Sequence, residues 1–263
     1  MKNLGSRLAL GCALLLIGYG SQAQVAGSLH DLAPLTTSTT QTCVFCHTPH
    51  GADTSATVPL WNKAILSPQT YDRYSDLNTA SFDSTEGTIA GSASLACLSC
   101  HDGSQARDVI INASGSGGYN AAGAIVDAAI GALTGAPVPM LGLDLRNDHP
   151  IAMQYAAGGA LTGDAPGLFG GTLGDPDFNA PVLVSLNGSE MWWVDADGFG
   201  SPLVREKTDM LLYSRDIGNG LEPMVECGSC HDPHNASTAG PGSVAFLRLS
   251  NDSSRICTSC HVK

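Results

Sequence analysis

Three stretches of the chain carry a regular apolar pattern. Residues 8–17 are a short, unbroken apolar run behind Lys2 and Arg7, which reads as the core of a secretory signal behind its basic start. Residues 120–133, NAAGAIVDAAIGAL, set apolar side chains at roughly helical spacing and predict one helix. Residues 182–186 and 191–194 flank Asn187-Gly188, a pair suited to a two-residue turn, and predict an antiparallel hairpin. No other stretch is long and apolar enough to span a bilayer.

Ser21-Gln22-Ala23 puts small residues where a signal peptidase reads, so cleavage is expected before Gln24. Cys12 leaves with the removed segment. A lipid anchor on Cys12 does not fit, because the apolar run continues past it. The remaining chain is expected to be exported, extracellular or at the cell surface, with the periplasm as the alternative.

Composition changes the picture of the core. Only 14% of residues are charged, 6% are aromatic and 31 are glycine, so an aliphatic core would be thin for this length. Loss of Lys2 and Arg7 with no acid takes the formal charge from −12 to −14. Such acidity argues against nucleic acid and anionic membranes as partners. It suits cationic or metal-bearing partners, although a solvated acidic surface is the plainer explanation.

The candidate chemistry lies in the cysteines. Eight of nine form Cys-x-x-Cys pairs: Cys43/Cys46, Cys97/Cys100, Cys227/Cys230 and Cys257/Cys260, followed by His47, His101, His231 and His261. Cys-x-x-Cys-His attaches c-type haem. Two thiols at this spacing reach the two vinyl groups of one porphyrin, and the next His binds its iron. Zinc sites or a disulfide framework would also use paired cysteines, but neither asks for the His. With 8 His in 263 residues, four such coincidences have a probability of roughly one in a million. Four covalently bound haems are therefore expected, about one per 60 residues after cleavage.

Four histidines remain: His30, His50, His149 and His234. Four irons with two His ligands each need four distal histidines, so bis-His ligation is expected throughout. Met140, Met153, Met191, Met210 and Met224 are possible axial ligands, but no motif places them. His50 and His234 close repeated segments, CVFCHTPH (43–50) and CGSCHDPH (227–234). Each lies three residues after a proximal His and leaves the same side of the turn, so it should reach a neighbouring haem. The simplest symmetric wiring puts His50 and His234 on the second haem of their own modules. His30 and His149 then take the first haems.

These features divide the chain into a signal peptide (1–23), an N-terminal dihaem module (24–105), an intervening segment supplying a distal His (106–226) and a C-terminal dihaem module (227–263). The expected fold is mostly irregular and loop-rich, with short α-helices at the haem motifs and minor β-hairpins. Its core is built on stacked haems, and the haem-free chain should fold poorly. Trp192 and Trp193 are expected to pack rather than carry current. Asp195-Ala196-Asp197-Gly198 starts like a calcium loop but lacks the closing Glu, and is read as a turn.

Several segments as they stand resemble a known family: CVFCHTPHGA (43–52), PLWNK (59–63), LSCHDG (98–103), NDHPI (147–151), CGSCHDPHN (227–235) and the FLRLSN stretch with its final CTSCH. Together they resemble the outer-surface tetrahaem cytochromes of metal-reducing bacteria, the OmcE type. The resemblance covers both modules and His149 but says little of residues 155–215. It implies bis-His ligation at all four irons and polymerisation into extracellular filaments. It also implies that a His of one subunit ligates a haem of the next, with His30 or His50 as the candidate.

The expected function is electron transfer without a substrate site, so not an enzyme, with redox partner proteins and extracellular electron acceptors as partners. A monomeric periplasmic shuttle is the alternative. A multihaem nitrite or hydroxylamine reductase is the less favoured reading, because it needs an open coordination position. Eight His for four irons leave none required, and no Cys-x-x-Cys-Lys occurs.

Overall fold

A computed structural model describes residues 24–65, 69–115, 118–126, 130–134, 140–158, 167–168, 173–198, 203–218, 220–235 and 246–262. The expected signal segment 1–23, with Cys12, lies outside the described residues. Irregular chain dominates. Helix among the described residues is confined to α1 (Ser94–His101), α2 (Cys227–Cys230) and α3 (Arg255–Cys260), with short 3-10 turns elsewhere. All three helices carry a Cys-x-x-Cys pair, and the fourth pair begins in the 3-10 turn Thr42–Phe45.

Sheet is more extensive than the minor hairpins expected. β1 (Val109–Asn112) pairs antiparallel with β2 (Tyr119–Ile125). A second sheet of six antiparallel strands has the order β3-β8-β7-β6-β5-β4, built from β3 (Met153–Gln154), β4 (Gly167–Leu168), β5 (Val182–Leu186), β6 (Ser189–Val194), β7 (Met210–Asp216) and β8 (Leu221–Val225). The expected hairpin is β5–β6. Asn187 and Gly188 take φ of 52° and 81°, the left-handed pair that a type I′ turn requires. Asp195 closes its own turn, with Oδ1 accepting from the N–H of Gly198 at 2.8 Å.

The helix expected over 120–133 is not formed. Residues 120–125 belong to β2, residues 127–129 lie outside the described residues, and Ala132 bridges Ala106. Two glycines explain the difference, since each costs a helix interior about 1 kcal/mol against alanine. Gly123 and Gly131 have φ of 75° and 59°. At Gly123 a Cβ would meet Val109 Cγ1 at 2.6 Å, so β1 and β2 approach closely only because it has none.

Three apolar clusters hold the chain together. The first joins Leu183, Trp192, Val194, Met210 and Leu212 of the large sheet to Tyr155 and Leu249, with Cys230, Ile256 and Cys260 packed against it. The second joins Leu95, Ala96 and Leu98 of α1 to Tyr71, Ile89, Leu145 and Ala152. The third gathers Leu32, Phe45, Ile110 and Ile130 around Val44 and Cys46. Thus the sheet of the intervening segment is the platform for the C-terminal motifs. Among the described residues no helix is long and apolar enough to cross a membrane.

Candidate functional site

Each Cys-x-x-Cys-His begins as one helical turn. The N–H of His47 donates to Cys43 O (2.8 Å), that of His231 to Cys227 O (3.0 Å) and that of His261 to Cys257 O (2.9 Å), while the second motif lies wholly within α1. Residues three apart share a helix face, so each turn presents two sulfurs on one side. His231 and His261 then leave the helix with extended backbone (φ/ψ −106°/136° and −97°/132°).

Three of the turns are held by the same clasp. A strap of extended chain lies antiparallel to the motif His, pairing His47 with Trp61, His231 with Leu247 and His261 with Phe178. In each strap the next residue donates its backbone N–H to the second cysteine's carbonyl: Asn62 to Cys46 (2.9 Å), Arg248 to Cys230 (2.8 Å) and Asn179 to Cys260 (2.8 Å). Its side chain then donates to the carbonyl of the residue after the first cysteine. Asn62 reaches Val44 O at 2.6 Å, Arg248 reaches Gly228 O at 2.9 Å and Asn179 reaches Thr258 O at 3.1 Å. Leu60 and Phe246, at equivalent strap positions, both have positive φ (57° and 65°). Sequence reading missed these clasp residues because the three straps share no motif.

The eight histidines fall into distinct settings. His30 lies with its ring centroid 6.1 Å from that of His101, at an interplanar angle of 73°. His47 and His234 are 6.0 Å apart at 17°. These contacts do not follow the symmetric wiring. Their physical cause is the N-terminal segment, which crosses to the C-terminal module: Gln24 N–H donates to His234 O at 3.0 Å, and His30 stacks on Phe246 at 4.2 Å. The ring of His30 also hydrogen-bonds the Pro233 carbonyl. His50 and His149 are exposed.

The ring nitrogens are oriented. A carbonyl only accepts, so His47 Nδ1–H donates to Pro59 O (2.9 Å) and His149 Nδ1–H to Pro150 O (3.0 Å). His234 Nδ1 lies 3.4 Å from Asp232 Oδ1. Each arrangement leaves Nε2 as the ring nitrogen able to coordinate, the pattern by which an outer partner orients a ligating imidazole. Burial pushes the His30 pKa down to about 4, which keeps that imidazole neutral and able to ligate. Asp232 instead raises that of His234.

The eight cysteines are free thiols. Burial pushes Cys46 and Cys230 up to about 11 and Cys260 up to about 12. The turns adjoin one another in chain order. Cys46 is an electrostatic neighbour of Cys100, the thiols of Cys97 and Cys227 hydrogen-bond, and Cys230 neighbours Cys257 and Cys260. At the middle junction Ser94 Oγ accepts from Cys227 N–H (2.9 Å) and donates to Glu226 Oε2 (2.5 Å). Glu226 is also paired with Arg215 at 2.9 Å. Burial raises the carboxyl's pKa, and Ser94 and Arg215 oppose that rise.

The donor set fits haem. The buried indole nitrogens of Trp61, Trp192 and Trp193 have no hydrogen-bond partner, and Trp61 lies edge-on to His47 at 6.4 Å. The orphaned donor of Trp61, beside His47, suits a haem propionate. Among the described residues no three His, Cys, Asp or Glu side chains converge as a metal cage. A haem iron needs only two protein donors, since the porphyrin supplies four. Met210 and Met224 are fully buried among the sheet's side chains. No family model matches the chain, and no curated protein matches it either.

Proposed function

We propose that this chain is a tetrahaem c-type cytochrome that carries electrons and has no substrate site. One observation carries the reading: four turns each present two thiols on one face with a His next in sequence, and two of those His lie about 6 Å, centroid to centroid, from a second imidazole, a separation that a bis-ligated iron would fit. Bound haem supplies one-electron iron chemistry at potentials set by ligand and burial. The residues attach it through Cys43, Cys46, Cys97, Cys100, Cys227, Cys230, Cys257 and Cys260, and ligate it through His47, His101, His231 and His261. His30, His50, His149 and His234 are the distal set. Contact between successive turns supports close spacing of the four groups, which electron hopping needs. The formal charge of −12 favours ferric iron and lowers the potential.

On the resemblance, the exported chains associate with one another as an extracellular filament. The exposed positions of His50 and His149 support that reading, since a neighbouring copy can reach them. The test uses protein purified from a host that attaches c-type haem. Mass should show four haems, the reduced spectrum should be low-spin, and carbon monoxide should not bind. A haem-free or zinc-loaded product would overturn the reading, and a high-spin, carbon monoxide-binding component would revive the reductase. Electron microscopy of the same sample decides between filaments and separate particles.

A further inference from the structure

We infer that the distal ligands of the N-terminal module are crossed: His234 serves the haem on Cys43/Cys46, opposite His47, and His30 serves the haem on Cys97/Cys100, opposite His101. This assignment rests on the haem reading above and specifies its wiring.

The distances and the anchored ring nitrogens together support it. With a metal–nitrogen bond of about 2 Å on each side and each ring nitrogen roughly 1 Å from its centroid, two imidazoles on opposite faces of one iron have centroids about 6 Å apart. The two pairs measure 6.0 and 6.1 Å. Plain ring contacts also occur near this spacing, as His47 and Trp61 do at 6.4 Å, so the anchoring of the ring nitrogens is needed beside it. Two partners also lock the pairs. His47 Nδ1–H is held by Pro59 O and His234 Nδ1 by Asp232, so both Nε2 atoms are left for iron. The His30 ring is bonded to the carbonyl of Pro233, the residue next to His234. One short segment of the C-terminal module, 231–235, therefore positions both distal ligands of the N-terminal module.

The interplanar angles give each haem its own signature. Near-parallel axial imidazoles (17°) give ferric haem an ordinary rhombic low-spin EPR signal, and near-perpendicular ones (73°) give a strongly anisotropic one. In the four-haem protein, His234→Ala should convert one haem to a high-spin, carbon monoxide-binding form and remove a rhombic component. His30→Ala should do the same to a strongly anisotropic component. Added imidazole should restore low spin in both. Cys43→Ala/Cys46→Ala identifies the first motif's component, and His47→Met does so in place if that variant does not fold. The component altered there must be the one His234→Ala loses. The wiring is overturned if His234→Ala stays silent to carbon monoxide or removes another motif's component. It is also overturned if His50→Ala, and not His30→Ala, opens the haem on Cys97/Cys100. A chain that purifies with no haem overturns the functional reading itself, whereas four haems with these spectral mismatches overturn only the wiring.

Discussion

At the scale of single residues, the clasp side chains do the least obvious work. Asn62 is fully buried. Its amide donates to Val44 O and Asn112 O (2.6 and 2.9 Å) and accepts from Asn112 N–H at 2.9 Å. Asn62→Ala would strand those groups away from water, at a cost of about 1–3 kcal/mol for each that stays unpaired. We expect a lower denaturation midpoint for the holoprotein, while Thr79→Ala on the surface should shift stability by less than about 0.5 kcal/mol. The short helical turns at the Cys-x-x-Cys-His motifs were legible in the sequence because the motif spacing marks them. The clasp residues were not, because a backbone N–H and one side-chain donor suffice. Asn62, Arg248 and Asn179 meet that need with two different residue types in unrelated contexts. Gly228 is a similar case: a Cβ there would collide with the Tyr213 hydroxyl, which nothing local in CGSCH announces.

At the scale of elements, the six-stranded sheet was only partly legible. β5 and β6 flank an Asn-Gly turn that any reader of the sequence would mark. β8 contains Pro223 and Glu222, and β7 ends in Ser-Arg-Asp, so neither alternates cleanly. Those polar ends have a purpose that only packing shows. Arg215 of β7 reaches Thr88 O at 2.6 Å and Glu226 at 2.9 Å, fastening the sheet to the segment before α1 and to the residue that caps α2. The Glu226 side chain is 0% exposed and that of Arg215 12%. Arg215→Met would leave a buried carboxylate without its cation, and breaking a buried pair in this way costs about 3–5 kcal/mol. Arg215→Met combined with Glu226→Gln should recover part of that loss. Denaturant titration of the three proteins checks both expectations, and a single variant as stable as the parent would sink the argument.

At the scale of the molecule, two of the three apolar clusters among the described residues are bordered by cysteines of the attachment motifs. Cys46 borders the third cluster, and Cys230 and Cys260 border the first. The haem-free chain should therefore lose the packing around its attachment turns before it loses the large sheet. Limited proteolysis of protein made without haem attachment should cut first within 24–105 and 227–262. Equal resistance in the haem-free and haem-bound forms would contradict this. A thin aliphatic core was legible from composition. Its division into three clusters was not, because Leu249 joins Tyr155 and Leu145 joins Leu95 across separations that no local pattern encodes.

The straps also differ in when they become available. Trp61 follows His47 by 14 positions and Leu247 follows His231 by 16, but Phe178 precedes His261 by 83. A chain made from its N-terminus can form its earlier parts first. The first and third turns must wait for straps that have not yet emerged. The last turn arrives to find its strap already delivered, and its closing hydrogen bonds, from Asn179 to Cys260 and from Val262 to Asp177 (2.8 Å each), can be made at once. The fourth turn can thus close as soon as it forms, whereas the first and third must wait for chain that comes after them.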